Sequence, residues 1–463
     1  VMHEFHSFYY DQAKAEPVTD EFRIPSGTAL DATLLRRLID EHRESHLPRL
    51  ERLAAAYETR YGIFGRAAKP DYKPDNRLAA DMAYDITETF EGYFIGVPIE
   101  VRHADPAKDA YLKAYARRNH QDDADADLSK MAAKFGEAYE MLYQDDEGRP
   151  RSVALPPLSA FMVYDDSVLK RKVAFVRYAY DEEGRVVGSW SDAANVYDFA
   201  DGGDGIEVTG TAPHYFGDVP AVCFEQNTER RGLYEGVLNL IEAYNNALSE
   251  KANDVDYFSD AYMIIEGTEL PDDFKKDLRE YKLINLYNND GSAVKAYFMA
   301  KPDADATQEN LINRLEMLIF KMAMVPDITD ESFSTASGTA LKMRMMPMSN
   351  LARNKERKFV RGVQERLRLL ANYPDKPFEG SDWEDAEVTM RRNMPEDIAA
   401  EASVAGSLSG IVSEETQLAL LSCVDDPAAE MERKKRDKER AVGSDADAYP
   451  KERIGAAEKE DER

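Results

Sequence analysis

Apolar positions along the chain follow two rhythms, one of three to four residues and one of two. From Thr228 to about Phe258, Leu233, Val237, Leu240, Ile241, Tyr244 and Leu248 recur at helical spacing with few breakers, which predicts one long helix. A second helix follows "KPDADATQEN", with Leu311, Leu315, Leu318, Ile319 and Met322 on its apolar face. Asp305 and Gln308 have the spacing of a capping box at its start. Between the two helices, over roughly residues 262–300, the chain reads strand, short helix, strand, an "NNDGS" turn and strand. The pattern is a helical stalk carrying a small α/β head.

The first 225 residues mix the two rhythms into an α+β unit. In "PDNRLAADMAYDITETFEGYFIGVPIEV", Asp75 is placed to cap a helix with Leu78, Met82, Ile86, Phe90 and Tyr93 on one face, ended by Gly96 and Pro98. "DLSKMAAKFGEAYEMLYQ" predicts a second helix, with Leu128, Met131, Phe135 and Leu142 on one side. From 160 to 225, "AFMVY", "KVAFVRYAY", "VVGSW", "NVYDF", "IEVTG" and "PAVCFEQ" are short Val-, Phe- and Tyr-rich runs between Gly/Asp clusters, which predicts an antiparallel sheet.

Beyond the stalk lies "VPDITDESFSTASGTALKMRMMPMSN", an acidic Ser/Thr/Gly loop running into a helix of more than 30 residues. Its second half places Phe359, Val363, Leu367 and Leu370 on one face and Arg/Lys on the other. Pro347 lacks an N–H and collides with the preceding turn, so a kink is expected there. Met343, Met345, Met346 and Met348 are expected to fill core around it, as unbranched, adaptable side chains do. A strand at "AEVTMRR", short helices through "MERKKRDKER" and a charged, disordered tail complete the pattern.

Composition narrows the function. At 463 residues the chain exceeds the size at which one core stops growing, so two or more domains are expected. Its 88 Asp and Glu against 59 Lys and Arg give a formal net charge of -29, a surface that repels anions at long range. Two cysteines, Cys223 and Cys423, cannot form a disulfide framework or a thiolate zinc cluster, and a reducing place of synthesis is expected. No stretch approaches 18 uninterrupted apolar residues, and "VMHEFHSFYYDQAKAEP" lacks the parts of a signal peptide, so neither membrane spanning nor secretion by that route is expected.

Catalytic patterns are missing. No G-x-x-x-x-G-K-[ST], G-x-S-x-G or H-E-x-x-H occurs, so ATP hydrolysis by a P-loop and the corresponding hydrolase chemistries have no anchor. His42 and His46 form the one i,i+4 histidine pair, without a carboxylate motif beside it. "QDDADADL" over 121–128 has alternating oxygens, but with Asp123 as position one, Leu128 replaces the turn Gly and Lys134 the final Glu of a calcium loop. It reads as a solvated turn before a helix. The basic runs are diluted by acidic neighbours, unlike the stripe of a sequence-specific DNA reader.

The order of parts resembles the portal proteins, or head-to-tail connectors, of tailed bacteriophages of the siphophage type, from about residue 30 to 440. The resemblance is carried by "NRLAADMAYDITETFEGYFIGVPI", "KFGEAYEMLYQDDEG", "YFGDVPAVCFEQN", "LYEGVLNLIEAYNNALSEKANDVDYFSDAYMIIEG", "MVPDITDESFSTASGTALKMRM", "NKERKFVRGVQERLRLL" and "LSGIVSEETQLALLSCVDDPAAEMER", in that order. It implies a mainly helical α+β portal fold with antiparallel strands in the wing: wing 1–225, stem 226–262, clip 263–300, stem 301–326, tunnel loop 327–337, kinked helix and wing strand 338–395, crown 396–440 and a disordered tail 441–463. It further implies a ring of about twelve copies at a capsid vertex, assembled in the host cytoplasm, without catalysis or cofactor. The implied partners are double-stranded DNA passing without sequence preference, the terminase large subunit, a head-completion adaptor, and the major capsid and scaffolding proteins. Asp330, Glu331, Ser332, Phe333, Ser334, Thr335 and Ser337 would then reach toward the channel axis, Pro347 would turn the helix away from it, and Lys342, Arg344 or Arg353 could steady the duplex.

Overall fold

The computed structural model describes residues 21–70, 73–203, 205–259, 263–266, 283–286, 295–298, 305–328, 338–374, 376–394, 398–421, 423–424 and 427–447. They pack as two units, one through Asn393 and one from Met394 onward. The fold class is α+β, as expected.

The first unit is built on two sheets. Strands β1 (Phe22–Ile24), β5 (Ala160–Asp165), β6 (Lys172–Tyr180), β7 (Val186–Ser191), β8 (Asn195–Asp201) and β9 (Ile206–Pro213) form a six-stranded sheet, antiparallel except where β1 lies parallel to β5. Period-two alternation gives β5 two different burials. Phe161 and Val163 join Leu35, Leu38 and Ile39 of helix α1 (Ala32–Glu41), while Ala160 and Met162 turn the other way to Tyr139, Val219 and Ala221. Asp31 caps α1 by accepting from the Leu34 N–H at 2.8 Å.

The strand at "PAVCFEQ" leaves the meander. As β10 (Ala221–Glu225) it pairs with β3 (Glu137–Gln144), which also pairs with β4 (Pro150–Leu155), in a separate antiparallel sheet. A short ribbon pairs β2 (Glu100–Arg102) with β14 (Glu387–Thr389).

Helices cover these sheets: α2 (Leu47–Tyr57), α3 (Met82–Ile95), α4 (Pro106–Asn119) and α5 (Gln121–Phe135). Two boundaries differ from expectation. Helix α3 begins after Asp81, not Asp75; Asp75 is held instead by Arg77 at 2.7 Å and the Lys69 N–H at 3.3 Å, and Leu78 is exposed. The helix predicted through Gln144 stops at Phe135, because Gly136 takes φ +94 and the chain continues as β3. A Cβ at Gly136 would lie 1.9 Å from the Arg230 carbonyl oxygen, so the bare backbone is what lets the two segments touch. Leu142 is buried, but in that strand.

The stalk is present with a shifted start. Residues 228–234 are irregular, Arg230 having φ +51, and a 3-10 turn (Glu235–Val237) leads into α6 (Leu238–Ser259). Its partner is α7 (Asp305–Ala323). The helices run antiparallel: Gln308 donates to Asp254 at 2.7 Å, Lys251 pairs with Glu309, and farther along Tyr244 feels the charge of Glu316. Gln308 therefore reaches across to α6 and does not close a capping box. Ile312, Leu315 and Ile319 are buried on α7, whereas Leu311 and Met322 of the expected face are exposed.

Between the stalk helices, β11 (Met263–Glu266) lies parallel to β12 (Leu283–Leu286) and antiparallel to β13 (Lys295–Phe298). The short helix expected between the first two strands lies outside the described residues. Helix α8 (Gly338–Asn372) follows the stalk. The second unit holds α9 (Ile398–Ser407), α10 (Glu414–Leu418) and α11 (Pro427–Asp447), with Ser413 capping α10 and Lys434 paired to Glu414 at 2.5 Å. Helix α11 carries residues 441–447, assigned above to a disordered tail. No described helix is long and apolar enough to cross a membrane.

Candidate functional site

Asp330, Glu331, Ser332, Phe333, Ser334, Thr335 and Ser337 lie outside the described residues, and the structure frames their segment from both sides. On one side α7 ends at Ala323, Met324 turns with φ +59, Val325 is buried and Ile328 is exposed. On the other, α8 begins at Gly338 and runs 35 residues without interruption through Pro347. Proline removes the N–H that the Met343 carbonyl would accept from; residue 347 is exposed, so water can take that bond. Lys342, Arg344 and Arg353 are all exposed. Of the four methionines expected in core, Met348 is buried, Met343 and Met346 are exposed, and Met345 is intermediate.

The second half of α8 is anchored firmly. Phe359, Val363, Leu367 and Leu370 are buried as the spacing predicts, and Gly362 lies so close to β10 that a Cβ there would meet the Phe224 ring at 2.6 Å. The same buried face carries two cations, contrary to the expected separation of apolar and basic sides. Lys355, fully buried, donates to Glu91 at 2.5 Å and to the Ser129 carbonyl at 3.0 Å, while the Ser129 hydroxyl donates to Glu91. Arg366 donates to Glu140 at 2.6 Å and to Asp125 at 2.5 Å, and Gln121 also donates to Asp125 at 2.9 Å. "QDDADADL" is thus the opening of α5, with Gln121 and Asp125 turned inward to α8. The spacing 355, 359, 363, 366, 370 follows one helical stripe, and that was the sequence signal for these cations.

Electrostatics follow from this burial. Desolvation lowers the Lys355 pKa despite the Glu91 carboxylate, and raises that of Glu140, which shares the Arg366 guanidinium with Asp125. At the rim of α8, burial opposes charge on Glu365, but hydrogen bonds from Arg368 and Lys172 outweigh it and hold the carboxyl at about 2. Lys358 and Arg361 both reach Glu225 of β10 at 2.8 Å. A cleft of about 430 Å³ beside these groups is lined by Lys172, Cys223, Glu225, Glu365 and Arg368, whose charged members are cross-paired. Burial pushes the Cys223 thiol up, which leaves it unreactive.

His42 and His46 occupy a π-helical turn (His42–His46). The ring nitrogens of His42 are taken by the Tyr178 hydroxyl at 2.7 Å and the Pro157 carbonyl at 2.9 Å, so the pair is core.

A family profile described as "Phage portal protein, SPP1 Gp6-like" matches residues 36–444. The chain belongs to this portal family. The portal protein of Bacillus phage SPP1 is 24% identical, the match covering 87% of this chain and 86% of that protein. The portal protein of Clostridium phage phiCD119 is 23% identical over 44% of this chain and 45% of its own length.

Proposed function

We propose that the chain is one subunit of a ring at a capsid vertex, a conduit for double-stranded DNA in packaging and ejection and a docking site for packaging motor and adaptors. The observation that carries this reading is the antiparallel pair α6 and α7 with the β12-β11-β13 sheet inserted between them. A pair of helices that buries Ile312, Leu315 and Ile319 yet exposes Leu311, Met317 and Met322 needs neighbours, and further copies of the chain supply them. In this reading residues up to 225 form the wing, 226–262 and 301–326 the stem, 263–300 the clip, 327–337 the tunnel loop, 338–395 the long helix and wing strand, and 396–440 the crown.

The clip meets the terminase large subunit and later the head-completion adaptor, and the outer surface meets major capsid and scaffolding proteins. The ring assembles in the host cytoplasm and ends in the virion. The work of translocation comes from the motor's ATP, and the subunit itself is structural. Twelve copies at -29 each carry roughly -350, so the wall disfavours the multiple phosphate contacts that make DNA complexes tight. Residues Asp330 to Ser337 face the duplex, Pro347 bends α8 away from the axis, and the exposed Lys342 and Arg344 steady the DNA.

Averaged electron micrographs of the purified chain test the ring directly, the expected image being an annulus wide enough for a duplex. Deleting Ser332 to Ser337 tests the loop: rings form while packaging or DNA retention fails. Separate, poreless molecules would overturn the first assignment, and normal packaging the second.

A further inference from the structure

Two exposed helix faces carry opposite charge at the same spacing. Arg353 and Arg357 of α8 are exposed, four residues apart, and make no ion pair among the described residues. Where Asp and Glu number 88 against 59 Lys and Arg, two adjacent guanidinium groups without a carboxylate are unexpected. They border a shallow cleft of about 510 Å³ with Glu356, Val360, Arg361 and Gln364. Glu356 in it is held by Arg392 at 2.5 Å and Arg361 by Glu225 at 2.8 Å, which leaves Arg353 and Arg357 with unused donors. On α5, Asp123 and Asp127 are likewise exposed, four residues apart and without an ion pair among the described residues.

Placement relates the two faces. Arg353 and Arg357 lie two residues either side of Lys355, and Asp123 and Asp127 two residues either side of Asp125. Two residues are about 200° around a helix, so each pair lies opposite the side chain that ties α5 and α8 together. Those ties are Lys355 to the Ser129 carbonyl and Arg366 to Asp125. By helical geometry the basic face points away from α5 and the acidic face away from α8, on opposite sides of the two ion-paired helices.

We propose that the Arg353–Arg357 face of one copy docks on the Asp123–Asp127 face of the next. The contact is head-to-tail, joining different patches on opposite sides of the subunit, which is the arrangement a closing ring requires. It rests on the ring reading above and adds its register. Arginine suits the role because its planar fork matches a carboxylate, and four residues of helix space both pairs by about 6 Å. DNA phosphate is the competing occupant for the arginines; it would leave the matched aspartates on the opposite side unexplained. The assignment moves Arg353 from the duplex to the subunit boundary.

The test uses the full chain, with ring formation followed by mass photometry against protein concentration and folding by circular dichroism. R353E/R357E and D123R/D127R are each expected to shift the assembly midpoint to about tenfold higher concentration or more, and the four-residue exchange to recover most of the loss. R353Q/R357Q and D123N/D127N, too mild to unfold a surface, move it the same way by less. Variants that close as readily as the wild type overturn the proposal, as does a loss that the exchange leaves in place. Arginine variants that close normally but fail to retain DNA overturn it in favour of a phosphate contact. Wild-type chain that never closes fails the ring reading itself, seen in the control before any variant is compared.

Discussion

Lys355 has no solvent exposure, and its ammonium is accommodated because Glu91 and the Ser129 carbonyl accept its hydrogen bonds. Removing one partner of such a pair leaves the other charge buried and alone. K355M is expected to lose about 3–5 kcal/mol of unfolding free energy in denaturant titration, and K355M/E91L to regain most of it. Full stability in the single variant would show the pair to be dispensable. Two other residues give a pH dependence with separable windows. Burial holds His42 neutral with its pKa lowered from 6.5 to about 4, so the unfolded chain binds the proton first and stability falls as pH drops from about 6.5 to 4. Glu365 is depressed to about 2, so its contribution is present above the ordinary carboxylate range and is lost as pH falls from about 4.5 to 2. Denaturation midpoints from pH 7 to 3 should show both declines, with E365Q flattening only the lower one.

At the scale of elements, the contact of α8 with β10 depends on a missing side chain. A Cβ on Gly362 would meet the Phe224 ring at 2.6 Å, a buried ring with little room to yield. G362A should cost about 1–3 kcal/mol by overpacking, despite alanine's better helix propensity, and F224L should relieve part of it. An alanine variant as stable as wild type by thermal melting would mean that the helix can lift away. Element type was legible wherever apolar residues kept a period: the strands from 160 to 225, the buried stripe of α8 and the paired stalk helices. Boundaries set by single backbone positions were not. Asp75 is held by Arg77 and the Lys69 N–H, and the N–H groups of Asn76, Leu78 and Ala80 donate to Asn253, Ser249 and Asn245 of α6, so the segment stays out of the helix. Gly136 looks like a tolerable helix glycine until Arg230 is found against it.

For the whole molecule, a formal net charge of -29 disfavours tight capture of DNA, as the proposed conduit requires. In the proposed ring each subunit would bring 88 Asp and Glu against 59 Lys and Arg, and that excess opposes the phosphate contacts that release condensed counterions. Duplex binding to the purified chain, measured by fluorescence anisotropy, should fall with salt at a logarithmic slope no steeper than about -2, where six phosphate contacts would give about -5. A steep slope would point to a basic track for the duplex and count against the proposed low-affinity conduit. Of the candidate site, the flanking helices and Pro347 within a long helix were legible, while residues 329–337 lie outside the described residues. Amino-acid order by itself determined the periodic elements, their succession and the family, because periodicity and local turn chemistry act between residues near in sequence. Which strand leaves the meander for β3, and why Lys355 and Arg366 are inside, were decided by the tertiary structure. Those outcomes depend on partners far apart in sequence, Ala221 and Met141 for the strand and Lys355 and Glu91 for the buried cation, whose proximity no local pattern encodes.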